Sequence, residues 1–335
     1  MKQLSIIVSV YKVEKYIHHY MESVFRQGLT DDIFELIIIN DGTPDCSIKV
    51  VEDIINAHNN IKVVNQENQG LSVALNVGIS MAQGEYILFN DPDDLLIEHR
   101  LYPLLAKAIT TKADILVADY IIVYDDNISH YQIDNENVLH AKEKTGKQLL
   151  LEDLDPNHCY KVRSLFRRSF LLENDIRFVP GIYYQDVPFV HECYLKAKHC
   201  LRADWQIYVY RRNRLDSVTS SFSYKKAMDF CVIVKKLWDL SLMEGLSSEE
   251  RLKVRNDAFT SLNAMVKSTV NHIESRKERI EIIHHLHKEI RHMNFSYGWK
   301  QRIATFMLHH TPLLYLRIQE RRKQQAKKNS LIKNT

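Results

Sequence analysis

Short β-branched runs alternate with amphipathic stretches through the first part of the chain, and this alternation constrains the fold more than any other feature. Leu4–Val10 (Leu-Ser-Ile-Ile-Val-Ser-Val) is too short for a helix and reads as a buried strand. Glu14–Gln27 follows with Ile17, Met21, Val24 and Phe25 at helical spacing. Phe34–Ile39 is a second strand, ending in Asn40-Asp41-Gly42-Thr43, and Ile48–Asn56 returns to helix. Ile61–Val64, a helix over Leu71–Met81 stopped before Gly84, and Tyr86–Phe89 repeat the pattern. Strands alternating with helices predict an α/β fold with a Rossmann-like, mostly parallel sheet covered on both faces. Ligands of such sheets bind beyond the carboxyl ends of the strands, where Tyr11, Asp41 and Asp91–Asp94 all fall.

The fourth strand delivers Asp91, Asp93 and Asp94 together, and three carboxylates this close repel unless something positive sits among them. Hard oxygen ligands at a strand end suit Mg2+ or Mn2+ held with the phosphates of a bound nucleotide. Asp-Pro-Asp-Asp alone suits an acidic turn equally well. The convergence of three polar clusters on one sheet edge favours a site.

Four segments carry a resemblance: Ser5 to Tyr11, Glu35 to Thr43, Asn68 to Asn76 and Gly84 to Asp94. In order and spacing they resemble the family 2 inverting glycosyltransferases of GT-A fold, of the bacterial surface-polysaccharide type, over about residues 1–220. The resemblance implies a nucleotide-diphosphate sugar donor, a UDP-sugar first, together with Mn2+ or Mg2+ and inversion at the anomeric carbon. It places Tyr11 by the nucleobase, Asp41 as a hydrogen-bond acceptor there, Asp91 at the ribose and Asp93 on the metal, with Asp91 its second ligand. Gly181-Ile-Tyr-Tyr-Gln-Asp186 resembles the segment that carries the catalytic base, which assigns that role to Asp186. Tyr208 to Arg214 with Ser217 resembles the strand and loop that close over the diphosphate, which brings in Arg211 and Arg214. The chain departs from the family pattern at Ser9, Lys12, Asn40, Leu75 and Gln185. Asn40 and Gln185 keep hydrogen-bonding shape, whereas Leu75 removes a cation that Arg211, Arg212 or Arg214 can replace.

These residue types suit the chemistry. Negative charge builds on a leaving diphosphate, and an acceptor hydroxyl must lose its proton as the new bond forms; a placed carboxylate typically contributes about 10²–10⁴-fold to such a step. Partial burial between Ile182-Tyr183-Tyr184 and an apolar helix would raise the Asp186 pKa. Asp186 before Val-Pro is also a good helix start, and the two roles are compatible.

Further along, Leu101–Ile109 reads as helix and Asp114–Tyr124 as strand, with Asp125-Asp126-Asn127 turning into Ser129–Ile133. Thr145 with Gln148 forms a capping box, and Tyr160–Phe166 and Leu201–Tyr210 are strands on either side of the Asp186 segment. Asp119 is a second candidate for the acceptor pocket or a solvated edge residue.

From about residue 223 the pattern turns to long helices, so the chain divides into a catalytic domain (1–222), a helical appendage (223–298) and an amphipathic, basic tail (299–335). Met228, Cys231, Val232, Lys235 and Trp238 make one mixed face of the appendage, and Leu262, Met265, Val266 and Val270 another. His284, His285, His287 and His292 lie on a solvated helix face, with no two of them four residues apart. In the tail, Pro312 breaks the apolar segment into two short helices whose Phe306, Met307, Leu313 and Leu316 suit insertion at a membrane surface. The basic run beyond them suits anionic headgroups or a solvated tail.

The 45 basic residues against 42 acidic leave no global field for nucleic acid. Five scattered cysteines read as free thiols of a reducing cytosol, and no apolar run is long enough to span a bilayer. The thiols point to the cytoplasm, and the resemblance to surface-polysaccharide transferases implies a glycan or lipid-linked glycan acceptor met at the inner face of the membrane. Two other readings remain open. One is a degenerate family member that binds nucleotide sugar or a partner without turnover. The other is a nucleotidyltransferase, against which Tyr11-Lys-Val-Glu-Lys lacks a glycine-rich phosphate loop.

Overall fold

A computed structural model of the chain describes residues 2–124, 139–212, 221–295 and 298–333. All seven residues of strand β1 (Leu4–Val10) are buried, which explains its unbroken apolar run. Helix α1 (Ile17–Phe25) follows, then β2 (Phe34–Asp41), a 3-10 turn at Lys49–Val51 and the short helix α2 (Glu52–Ala57). After them come β3 (Ile61–Gln66), α3 (Leu71–Met81) and β4 (Tyr86–Asn90). β1 pairs in parallel with β2 and β4, and β2 with β3, so four strands present their carboxyl ends together. Val10 lies opposite Asn40 and Val8 opposite Asn90, which brings the residues after β1, β2 and β4 to one edge. Ile17, Tyr20, Met21 and Val24 of α1 are buried, and α3 presses its Gly78 onto Ile7 of β1.

The rest of the sheet is mixed. β5 (Leu95–Leu96), α4 (Leu101–Thr111), β6 (Ile115–Tyr124), β7 (Ala141–Lys144) and α5 (Gly146–Glu152) come next. They are followed by β8 (Ser164–Arg167), α6 (Arg168–Glu173), α7 (Asp186–Lys196) and β9 (Cys200–Arg212). The strand order is β3-β2-β1-β4-β8-β6-β9-β5, with β7 on β9. β8 runs antiparallel to both β4 and β6, and β5 antiparallel to β9. The expected strand over Tyr160–Phe166 is instead a 3-10 turn at Lys161–Arg163 leading into β8. The turn and strand expected over 125–133 lie outside the described residues. The Thr145 capping box is present.

The chain divides into two units: Met1–Leu154 with Cys159–Gly181 and Glu192–Leu215, and Asp155–His158 with Ile182–His191 and Asp216–Thr335. In the second, α8 (Tyr224–Leu240) and α9 (Ser248–His272) are followed by α10 (Arg276–Ile290), α11 (Trp299–His310) and α12 (Pro312–Lys333). Ser247 and Glu250 form the expected capping box on α9. Leu262, Met265, Val266 and Val270 are buried as anticipated. On α8 the covered face is Ala227, Cys231, Val234, Leu237 and Trp238, while Val232 is exposed.

The tail departs from expectation. The break at Pro312 is present, between α11 and α12, but the second helix is long: Pro312 opens it, because a first-turn proline lacks only an N–H the helix does not use. The Arg-, Lys-, Gln- and Ala-rich stretch after it favours helix, and α12 runs on to Lys333. Glu320 meets Arg279 at 2.8 Å, and the Lys323 ammonium donates to the carbonyls of Val270 and Asn271 at 2.8 and 3.0 Å. Leu316, expected to insert in a membrane, is instead buried with Leu308 and Tyr315. His287 Nδ1 bonds the Leu308 carbonyl at 2.8 Å, so one ring of the histidine-rich stretch serves helix packing.

Candidate active site

The carboxyl end of β4 is tied to the tip of β9. Asp94 is buried, and its carboxylate accepts from the Tyr208 hydroxyl at 2.8 Å and the Arg211 amide at 2.7 Å. The same hydroxyl accepts from the Asp91 amide at 3.3 Å. Arg211 Nε donates to the Asp93 carbonyl at 2.8 Å, and its guanidinium lies 4.9 Å from the centre of the Tyr16 ring. The structure therefore brings Arg211, one of the three arginines that could stand in for the cation missing at Leu75, to the acidic cluster. Leu75 itself is fully buried in α3 and serves packing. Burial, and then the charges of Asp93 and Asp91, hold the Asp94 carboxyl well above the usual carboxylate range. Burial followed by the acidic trio also raises the Tyr208 phenol, which keeps it a proton donor to Asp94.

Asp91 and Asp93 are half-buried. The ammonium of Lys161 bridges both Asp91 oxygens, at 2.9 and 3.2 Å, from a side chain only 1% exposed. Sequence reasoning missed this lysine and the bond of Tyr208 to Asp94. Tyr208 was named only as the start of the strand expected to close over the diphosphate, and Lys161, two residues before Arg163, carried no pattern that set it apart.

At the neighbouring edge Tyr11 is exposed, next to Lys12 in the left-handed region (φ 56°). The Lys12 amide donates to the Thr43 hydroxyl at 2.8 Å, the Val13 amide to the Ser47 hydroxyl at 3.0 Å, and the Glu14 amide to Asp45 at 3.2 Å, so the loops after β1 and β2 are stapled together. Asp41 is buried, and its carboxylate accepts from Gln66 Nε2 (2.7 Å) and from the amides of Gln69 and Gly70 (both 2.9 Å). It thus anchors the loop into α3, at a glycine whose φ of 87° few other residues adopt. Asn40 donates to Asn65 at 2.8 Å and accepts the Thr43 amide at 3.1 Å, a geometry for which an amide suffices.

In the other unit, α7 begins at Asp186, which is half-buried. Gln185 Nε2 lies 3.4 Å from the Asp186 carboxylate, and Tyr184 before it is left-handed (φ 58°), which turns the chain sharply into the helix. His191, one turn further, is fully buried and bonds the Val187 carbonyl at 2.7 Å and Asp257 at 2.9 Å. Asp119 remains about a third exposed but lies on the interior strand β6 rather than at a sheet edge, and Arg202 meets it at 2.5 Å and Arg163 at 3.9 Å. Arg214 lies outside the described residues.

Among the described residues no three His, Cys, Asp or Glu side chains gather into a metal-holding group. The donor chemistry nevertheless fits a divalent cation of the Mg2+ or Mn2+ kind. Such ions are commonly held by one or two carboxylates plus substrate phosphates, and Asp91 and Asp93 offer two half-buried carboxylates at the end of β4.

Residues 5–173, just over half of the 335-residue chain, match the model of glycosyl transferase family 2. The chain belongs to that family. The matched region is a glycosyltransferase domain of GT-A fold. Among similar proteins is the uncharacterized glycosyltransferase EpsJ of Bacillus subtilis (strain 168), 34% identical over 239 residues. That match covers 68% of this chain and 65% of EpsJ, so the chain spans somewhat less than two thirds of this relative's length. The fold is shared with S. aureus TarS 1-349 in complex with UDP-GlcNAc, at a TM-score of 0.77 and 19% identity over 97% of this chain and 92% of that one. The mannosyltransferase PcManGT from Pyrobaculum calidifontis, in complex with GDP-Man and Mn2+, aligns with a TM-score of 0.51 and 13% identity, covering 95% and 86% of the two chains.

Proposed function

We propose that the chain is an inverting glycosyltransferase that moves a hexose or N-acetylhexosamine from a nucleoside diphosphate, UDP first, to a hydroxyl of a glycan or lipid-linked glycan. The observation that carries this reading is the Asp91–Asp94 cluster at the carboxyl end of β4, with Arg211 fixed against it. Tyr11 supplies a face for the nucleobase, and the loop that Asp41 anchors lines the same edge. Asp93, with Asp91 beside it, would hold Mn2+ or Mg2+. When bound, such a cation offsets the negative charge growing on the leaving diphosphate. Arg211 adds positive charge toward the same group, a role the family resemblance assigns to Arg214 as well. Asp186 accepts the acceptor's hydroxyl proton while the anomeric carbon bonds that oxygen on the face opposite the leaving group. The bonding electrons of the broken C–O bond depart with the nucleoside diphosphate.

The proposed setting is an anionic membrane surface. Trp299, Ile303 and Phe306 repeat at i, i+4 and i+7 on α11 and stand 70, 51 and 62% exposed. Leu313 and Leu314 are exposed on α12, and Lys300, Arg302, Arg317, Arg321 and Arg322 are exposed on the same two helices. No helix of the described residues is long and apolar enough to cross a bilayer, so any contact made here lies flat.

The test is a panel of nucleotide sugars with Mn2+, following binding and slow donor hydrolysis. One donor should bind and release its nucleoside diphosphate; binding of none would overturn the reading. Binding without turnover for any acceptor would favour the degenerate-member alternative, which the exchanges at Asn40, Leu75 and Gln185 motivate.

A further inference from the structure

The Asp91 carboxylate carries a counter-ion supplied by the protein itself. Lys161 opens the 3-10 turn that enters β8, and β8 pairs antiparallel with β4, Leu165 opposite Leu88. Continuing that register lays the chain ahead of β8 beside the residues just after Asn90. The Lys161 side chain is 1% exposed, whereas that of Asp91 is 32% exposed. A buried ammonium is strongly unfavourable without a partner, and Asp91 is a partner the fold sets within hydrogen-bond distance. Both Asp91 oxygens face the ammonium, at 2.9 and 3.2 Å.

We propose that Lys161 competes with the divalent cation for Asp91, and so keeps metal affinity low until a nucleoside diphosphate arrives. This inference rests on the nucleotide-sugar reading and specifies how its metal site is regulated. A divalent ion that draws on Asp91 must share its oxygens with Lys161 and meets the repulsion of a fixed positive charge in a half-buried site. A diphosphate brings further oxygens and negative charge, which lessen the dependence on Asp91. Lys161 thereby couples metal uptake to donor binding, and metal alone is held weakly. Lys161 is a positioning residue: it acts through Asp91.

The experiment measures Mn2+ binding to the full chain without nucleotide, by electron paramagnetic resonance of the free ion, and repeats it with UDP. Lys161→Met and Lys161→Gln remove the charge, and Met keeps the length and apolar stem that the buried position requires. Both should bind Mn2+ alone at least about tenfold more tightly than the wild type, since a neighbouring repulsive charge is gone. Lys161→Arg should stay near the wild type. With UDP the gap between neutral variants and wild type should narrow. Thermal melting establishes that each variant is folded. If folded Lys161→Met binds Mn2+ no more tightly than the wild type, the competition does not exist. That readout uses no donor sugar, so it can fail while the wild type still turns over a nucleotide sugar, and it can hold when no donor binds.

Discussion

Glu35 shows how much one side chain can fix. It is almost wholly buried, and its carboxylate accepts from the Ser5 hydroxyl (2.6 Å), the Lys62 ammonium (2.7 Å) and the Gln83 amide (2.6 Å). Burial pushes its pKa up, but the Lys62, Ser5 and Gln83 donors outweigh it and the net direction is down. The native pKa therefore lies below the unfolded value of about 4.3, so the stability it contributes is full above that pH and is lost as pH falls through the native pKa. Glu35→Gln should cost about 1–3 kcal/mol at pH 7 in urea unfolding, with a shallower loss of stability below about pH 4.3 than the wild type shows. Parallel acid profiles for the two proteins would assign the acid sensitivity elsewhere. Asp93→Ala should weaken nucleotide binding in Mn2+ and abolish transfer, and wild-type turnover by that variant would remove Asp93 from the metal. That Tyr11, Asp41, Asp91 and Asp93 lie at or just past the carboxyl ends of β1, β2 and β4 was legible because those strands are local patterns, while the roles proposed for them come from the family resemblance. Lys161 was not, because its partner lies 70 residues away and only strand pairing joins them.

Helix α3 and the tail illustrate what pattern can and cannot reach among elements. The expected bounds of α3, Leu71–Met81, are those observed, since apolar spacing and the stop at Gly84 are both local signals. Gly78 within it is a packing residue: a Cβ there would fall 2.3 Å from Ile7 Cγ2. Gly78→Ala should therefore destabilise by about 1–3 kcal/mol in spite of alanine's better helix propensity, measured as a lower denaturant midpoint. A stabilised variant would mean that α3 is not seated on β1 in this way. The two-residue β5 and the short β7 went unnoticed because each exists only through pairing with β9. α12 was underestimated because its charged half was judged by apolar spacing, whereas what holds it is Glu320 on Arg279 and Lys323 on the last carbonyls of α9.

For the molecule as a whole, a formal net charge of +3 is too small to direct it to any polyanion, so surface binding has to come from local features. The proposed membrane contact predicts that the full-length protein sediments with anionic vesicles at low salt. It should be partly released near 1 M salt, where the Debye length shrinks to about 3 Å. Trp299→Glu with Phe306→Glu should abolish sedimentation, and unchanged sedimentation would show that this face is not the one in contact. The transfer reaction is tested most directly by Asp186→Asn, assayed for donor binding and for sugar transfer with the nucleotide sugar that the wild type uses. A proton acceptor predicts a donor affinity within about threefold of the wild type and a rate lowered by about 10²-fold or more. Transfer at the wild-type rate, or loss of binding in step with loss of rate, would contradict the assignment of Asp186 as the base.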